Sequence, residues 1–171
     1  MPRYCLLTFV ALSLALLAQD AKLPLGVIEL SFQTQAYKGK YSPRHVLAAW
    51  VVDAKDQHVR TLAIYGKKQA KRLGRWRKAT GKKKPDAVTG ATLRKHKPLT
   101  IVWDGTDKNG KPAPDGNYKI RLEYTETNRS GPTCQVEVKK GGTPGTRKVE
   151  GNKFFADVTV RQVGEKQAEK N

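Results

Sequence analysis

The stretch HVLAAWVVDAKDQHVRTLAIYG, residues 45–66, decides the fold class. Its first half is apolar on both faces around Trp50, which is typical of a strand in the middle of a sandwich. The polar turn at residues 53–57 then returns the chain into a second apolar run, residues 58–66. This order predicts an antiparallel hairpin whose first strand is central in its sheet.

The rest of the chain carries further strand patterns. Residues 27–36 alternate, with Ile28, Leu30 and Phe32 on one side and polar residues on the other, which predicts a half-buried strand. Short strands with Gly and Pro turns and no long helix predict an all-β fold, an immunoglobulin-like antiparallel β-sandwich of about seven strands. The remaining strand patterns cover residues 99–103, 117–127, 134–138 and 154–163.

Residues 66–98 interrupt the strand pattern and read as an insertion in a domain that spans residues 22–163. Ala70, Leu73 and Trp76 recur every third residue, which predicts a short helix docked on the sandwich. We expect the Gly-rich loop at residues 140–152 and the tail at residues 164–171 to be mobile.

The first 21 residues have the organisation of a secretory signal peptide. Arg3 precedes an apolar run over residues 6–18, which is too short for a membrane span of about 20 residues, and small residues follow it. We therefore expect a periplasmic or secreted chain with no transmembrane span after cleavage. Cleavage removes Cys5 and leaves Cys134 alone, so no intrachain disulfide can form.

Charge is the strongest feature of the composition, because the formal net charge is +18. Residues 67–84 hold ten cations and no acid. Such a run is either a solvated loop or a site that attracts an anionic surface. Nucleic acid is not expected, since stacking aromatics are not interleaved with the cations and the chain is exported. The candidate polyanion-binding residues are Lys67, Lys68, Lys71, Arg72, Lys82, Lys83 and Lys84.

The segment WDGTDKNGKPAPDGNYKI, residues 103–120, is rich in Asp-Gly and Asn-Gly turns. It is not a calcium loop, because Gly105 and Gly116 stand where that loop needs its first and last carboxylates. Together with its flanks, residues 99–124, it resembles the Ig-like module of flagellar hook-capping proteins, which implies the fold alone. Hydrolytic and metal-site motifs are absent from the sequence, so we expect no metal and no enzyme active site.

The segment DAVTGAT, residues 86–92, is the strongest candidate for chemistry. Gly90 and Ala91 place almost no side-chain bulk before the hydroxyl of Thr92, as an acceptor of a phosphate ester requires. Arg94 and Lys95 follow at once and could neutralise a phosphate. A loop with a Thr-Gly turn is the alternative interpretation. The candidate cofactor-binding residues are Asp86, Thr89, Gly90, Ala91 and Thr92.

This segment is similar to the acceptor motif of periplasmic flavin transferases, which use FAD and magnesium to attach FMN through its phosphate to the last Ser or Thr. The resemblance implies covalent FMN on Thr92. The span from Val27 to Val163, with Trp76, DAVTGAT and the WDGTD and DGNY segments in order, also resembles the exported family called domain of unknown function 2271.

Two hypotheses follow. In the first, the protein is a flavoprotein of periplasmic electron transfer, with covalent FMN, a flavin transferase and a membrane or periplasmic redox protein as partners. Trp76, His96 and Trp103 are then candidates to pack against the flavin ring. In the second, it is a non-catalytic Ig-like binding or adaptor module whose basic insertion docks on an anionic surface or protein partner.

Overall fold

The structure is a computed structural model that describes residues 26–81, 86–87 and 89–163. The expected signal peptide, Lys82, Lys83, Lys84 and the tail lie outside the described residues. The elements in chain order are strands β1 (Ile28–Thr34), β2 (Val46–Asp53) and β3 (His58–Tyr65), a 3₁₀ helix (Lys67–Arg72), helix α1 (Gly74–Ala79), and strands β4 (Pro98–Trp103), β5 (Gly116–Thr125), β6 (Thr133–Lys140), β7 (Gly145–Lys148) and β8 (Phe155–Gln162).

The strands form two four-stranded antiparallel sheets that pack as a sandwich. One sheet has the order β4-β1-β8-β7 and the other β3-β2-β5-β6. The predicted hairpin is confirmed, since β2 pairs antiparallel with β3 and lies between β3 and β5. In the described part of the chain, no helix is long and apolar enough to cross a membrane.

The main core lies between the sheets. The alternation in β1 is confirmed, because Ile28, Leu30 and Phe32 are buried while the residues between them are half-buried. Trp103 on β4 reaches across to Tyr118 on β5, with 4.8 Å between ring centroids. Side chains of both inner faces therefore interdigitate in one apolar layer.

A smaller core lies outside the second sheet, where the insertion covers β2. Ala70, Leu73 and Trp76 are all buried there, as the helical spacing predicts. The one predicted helix is divided into two short ones at Leu73, and the Glu123 carboxylate accepts the backbone N–H of Trp76 at 2.9 Å where α1 begins. This layer explains why β2 is apolar on both faces.

The Gly-rich loop expected to be mobile differs from the prediction. It contains β7, which pairs with β8 over residues 145–148 and closes the edge of the first sheet. All its residues are exposed, so β7 lacks the apolar alternation by which strands are recognised. The sandwich accordingly has eight strands.

Candidate functional site

The DAVTGAT segment lies along the free edge of β3. Asp86 Oδ2 accepts the backbone N–H of Thr61 at 2.8 Å, and Thr89 Oγ1 accepts that of Ile64 at 3.3 Å. These bonds satisfy N–H groups that β3, as an edge strand, would otherwise leave unpaired. The motif is therefore attached to the sheet by two of its own polar side chains.

Thr92 stands at the end of this attached segment with an exposed side chain. The next residue, Leu93, is buried and exchanges two 3.0 Å backbone hydrogen bonds with His45. Gly90 and Ala91 contribute little bulk, as expected, and Gly90 O accepts the N–H of Gly66 at 2.9 Å. The chain is thus fixed on both sides of the exposed residue Thr92.

Gly66 is required for this arrangement. Its φ of +87° lies in the left-handed region, and a Cβ there would stand 2.6 Å from Val46 Cγ1 and 2.9 Å from Thr92 Oγ1. Glycine is the residue that tolerates both conditions. The backbone of Gly66 therefore packs directly beneath the acceptor hydroxyl.

A cleft of about 230 Å³ opens beside Thr92. Two arginines line it, Arg44 from the loop before β2 and Arg72 from the end of the 3₁₀ helix. The Arg72 guanidinium lies 4.9 Å from the ring centroid of Tyr41, which also lines the cleft. The ion pairs found among the described residues all involve side chains other than Arg44 and Arg72.

The cations that the sequence placed around the ester lie elsewhere or are not described. Arg94 and Lys95 are exposed but do not line the cleft. Arg44 was missed, because it is far from the motif in sequence and follows an ordinary Ser-Pro loop. Its only signal was a positive charge next to the start of the central strand.

Among the described members of the predicted polyanion-binding set, Arg72 alone lines the cleft. Lys67, Lys68 and Lys71 are exposed on the 3₁₀ helix. Lys71 and Arg72 also line a shallow depression with Arg77 of α1. The lysines of the 3₁₀ helix therefore form a solvated outer face, and Arg72 at the end of that helix joins it to the cleft.

A buried polar cluster lies behind the cleft. The rings of His45 and His96 stack with centroids 4.2 Å apart, and Thr34 Oγ1 lies 3.2 Å from His45 Nε2 and 2.9 Å from His96 Nδ1. His96 Nε2 is 2.7 Å from Glu126 Oε1, and the Glu126 side chain is fully buried. Burial, together with the neighbouring His96, lowers the pKa of His45 to about 4.

The aromatic residues proposed to contact a flavin are placed differently from that expectation. Trp76 lies on the buried face of α1, where its Nε1 donates to Thr61 Oγ1 at 3.1 Å. Trp103 is buried between the sheets. His96 belongs to the buried cluster. Tyr41 is the aromatic side chain that lines the cleft.

A larger groove of about 760 Å³ lies elsewhere, between α1 and the outer face of the second sheet. It contains none of the predicted cofactor residues. Two of its charged residues neutralise each other, since Arg121 donates to Asp56 at 2.7 Å. Among the described residues no cluster of three or more His, Cys, Asp and Glu side chains could hold a metal ion.

Comparison with known protein families identifies the family of this chain. The family model described as "Predicted periplasmic protein (DUF2271)" matches residues 27–157. The chain belongs to this family. No curated protein and no solved structure matches it. The DUF2271 protein described here is thus a periplasmic β-sandwich, and its family description assigns no activity.

Proposed function

We propose that this DUF2271 protein carries FMN, bound covalently through its phosphate to Thr92, in periplasmic electron transfer. The observation that carries the proposal is the position of the Thr92 hydroxyl. Thr92 is the exposed end of a motif anchored to β3, and it lines a cleft together with Arg44 and Arg72. The protein acts as a carrier and not as an enzyme.

The attachment reaction balances with FAD as the donor. Thr92 Oγ would form a bond to the flavin-side phosphorus, the pyrophosphate bond would break, AMP would leave, and the hydroxyl proton would pass to a base of the flavin transferase. The product is a phosphodiester with one negative charge. An exposed hydroxyl is what a separate enzyme needs in order to reach it.

Arg44 and Arg72 suit the charge of such an ester. Guanidinium groups bind phosphate oxygens through charge-assisted hydrogen bonds. Their stabilising effect is larger in a cleft than on an open surface, because water screens the interaction less. FMN supplies the redox chemistry when bound, while these residues supply position and charge.

The test is the intact mass of the protein after co-expression with a flavin transferase and magnesium. Wild type should gain the mass of one FMN less one water, Thr92→Ala should gain none, and Thr92→Ser should retain some adduct. An unmodified wild type, under conditions that modify a known carrier, contradicts the proposal. So does an adduct that survives in Thr92→Ala.

The cleft is tested separately with matched charge changes. The double variant Arg44→Gln and Arg72→Gln should form the adduct more slowly than wild type. The double variant Lys67→Gln and Lys68→Gln, which removes the same charge outside the cleft, should form it at the wild-type rate. Equal slowing in both would show that net charge, not the cleft, assists the reaction.

A second candidate function is a non-catalytic adaptor that docks on an anionic surface or protein partner. The observation that favours it is the exposed cationic face of the 3₁₀ helix, formed by Lys67, Lys68 and Lys71. The two functions differ in colour. A carrier purified from cells with a flavin transferase is yellow and fluoresces on a denaturing gel, while an adaptor is colourless.

A further inference from the structure

The buried polar cluster joins four parts of the chain that are distant in sequence. Thr34 ends β1, His45 precedes β2, His96 precedes β4 and Glu126 follows β5. The Glu126 Oε2 atom also accepts the backbone N–H of Gly39 at 2.8 Å. The cluster therefore ties the loops at one end of the sandwich together in a single hydrogen-bonded chain.

The direction of the first bonds follows from donor chemistry. The carbonyl of Pro43 can only accept, so His45 Nδ1, at 3.1 Å, carries a hydrogen. His45 is neutral at neutral pH, given its low pKa, so its Nε2 is a bare acceptor. The hydroxyl of Thr34 must then donate to His45.

The direction of the remaining bonds is then fixed as well. Thr34 has one hydroxyl hydrogen, already donated to His45, so His96 Nδ1 must donate to Thr34 Oγ1. The 2.7 Å contact between His96 Nε2 and Glu126 Oε1 must also contain one hydrogen. That proton belongs either to an imidazolium beside a carboxylate or to a carboxyl beside a neutral ring. Without it, two lone pairs would face each other in a buried site.

This chain lies directly behind the candidate acceptor. His45 holds Leu93 through two backbone bonds, and the His96 ring stacks on the His45 ring. The residues from Thr92 to His96 are therefore clamped at Leu93 and at His96. Both contacts involve His45, because its backbone bonds to Leu93 and its ring stacks on His96. The bond directions derived above are those of the neutral His45 ring.

We propose that His96 and Glu126 are positioning residues that hold Thr92 in place beside the arginine cleft through one shared buried proton. The expected effect on the modification of Thr92 rests on the proposed function. The clamp itself is a property of the unmodified chain, so it can be tested without FMN.

Protonation of His45 opens the clamp. A proton on Nε2 would remove the acceptor of the Thr34 hydroxyl and place a cation against the ring of His96. The titratable and charged groups that face His45 are His96 and Glu126 in the cluster, Tyr124 on β5, whose ring centroid is 5.5 Å away, and Arg44 and Arg72 along the cleft. The Glu126 carboxyl is already paired with His96, at 2.7 Å.

The experiment compares two changes at one position. In Glu126→Gln the amide nitrogen can donate to His96 Nε2 and the amide oxygen can accept from Gly39, so the chain of bonds survives. In Glu126→Leu, which has a similar size, both bonds are lost. Hydrogen exchange of the Leu93 backbone amide is measured in each purified protein, without any flavin.

We expect wild-type protection of Leu93 in Glu126→Gln and a loss of about tenfold or more in Glu126→Leu, as the loss of a hydrogen bond predicts. Val160→Ala in β8 is the control, because it weakens the distant core without touching the cluster. Protection of Leu93 relative to the β2 amides should stay unchanged in that control. If Glu126→Leu does not fold, His96→Phe replaces it, since it keeps a stacking ring and removes both bonds.

The second readout is the rate of FMN attachment by a flavin transferase. Glu126→Gln should keep the wild-type kcat/KM for the acceptor protein, and Glu126→Leu or His96→Phe should lower it. Equal Leu93 exchange in all variants overturns the inference. A wild type that is not modified contradicts the proposed function instead. In that case the exchange of the Leu93 amide alone tests whether His96 and Glu126 hold this segment in place. Slow attachment in Glu126→Gln with normal Leu93 exchange overturns the link to Thr92.

Discussion

Two loops of similar composition, residues 86–92 and residues 104–116, use their polar side chains in opposite ways. In the second loop, Asp107 Oδ1 accepts the backbone N–H groups of Asn109 and Lys111 at 2.8 and 2.9 Å. Such bonds fold a turn onto itself. Asp107 therefore serves its own turn, whereas Asp104 and Asp115 of the same loop pair with Arg60 and Lys140 outside it.

In the first loop the polar side chains bond to the sheet instead. Asp86 and Thr89 bond to the free edge of β3, and Leu93 pairs with His45. Thr92, an exposed residue, lines the arginine cleft. Asp107 thus closes a turn on itself in one place, while Asp86 and Thr89 anchor a segment to the sheet in the other.

The largest expected effect compares two glycines, Gly66, which packs against Thr92, and Gly110 in the second loop. Gly66→Ala should lower the free energy of unfolding by roughly 3 to 4 kcal/mol, because it adds the left-handed penalty to an overlap with Val46 and Thr92. Gly110→Ala, at φ +76° with open space around it, should cost only about 1 to 2 kcal/mol. Denaturant unfolding measures both, and equal losses would contradict a packed position for Thr92.

Acid should release the two loops at different pH. The folded pKa of His45 is about 4 against an ordinary 6.5, so its contribution to stability is complete above pH 6.5 and is lost as the pH falls towards 4. The loss is at most about 3 kcal/mol. Bonds from Lys111 and Asn109 instead hold the pKa of Asp107 below its ordinary value of 3.8. The turn around Asp107 therefore loses its contribution to stability only as the pH falls below 3.8.

Hydrogen exchange, corrected for the intrinsic effect of pH, measures this order. The Leu93 amide should lose protection before the Lys111 amide as the pH falls. Simultaneous loss would indicate global unfolding and would show that neither loop titrates by itself. Replacing His45 with Asn, which cannot be protonated, should remove the early loss.

Removing one anchor should have a smaller effect. Asp86→Ala leaves the backbone N–H of the fully buried Thr61 without its partner, which should cost about 1 to 2 kcal/mol. The adduct on Thr92 should form more slowly but still form. Thr89→Ala, which removes a longer bond of 3.3 Å, should cost less. Complete loss of the adduct in Asp86→Ala with an intact fold would give Asp86 a direct part in the transfer.

Much of the fold could be predicted because it depends on local pattern. Consecutive residues show both the alternation of Ile28, Leu30 and Phe32 in β1 and the two apolar faces of β2, and the structure confirms both predictions. β7 could not be recognised, because an exposed four-residue edge strand has no apolar face to repeat. Its position depends on its partner, β8.

The site was predictable only in part, for a similar reason. The sequence could name DAVTGAT, since its spacing is local, but Arg44 and the His45–His96 stack come together only through the pairing of distant strands. Trp76 was predicted both to dock on the sandwich and to contact a flavin, and the structure confirms the docking, because apolar burial competes with ligand contact for such large side chains. Trp103 is buried in the core between the sheets and Trp76 in the smaller core outside the second sheet, while smaller or charged residues line the cleft.

The smallest effects should come from the exposed basic face, and they decide between the two functions. Lys67→Gln, Lys68→Gln and Lys71→Gln should each change the free energy of unfolding by less than about 0.5 kcal/mol, because these side chains are exposed and lie outside the strands.

Binding to vesicles that contain anionic lipids, measured over a series of salt concentrations, is the decisive readout. An adaptor should bind, lose binding in the triple variant and weaken steeply with salt. A carrier whose chemistry lies in the cleft should keep wild-type adduct formation in the same variant, since Arg72 and Arg44 are untouched. Salt-independent binding would exclude an electrostatic function for this face, and loss of adduct would place it within the surface that the transferase recognises.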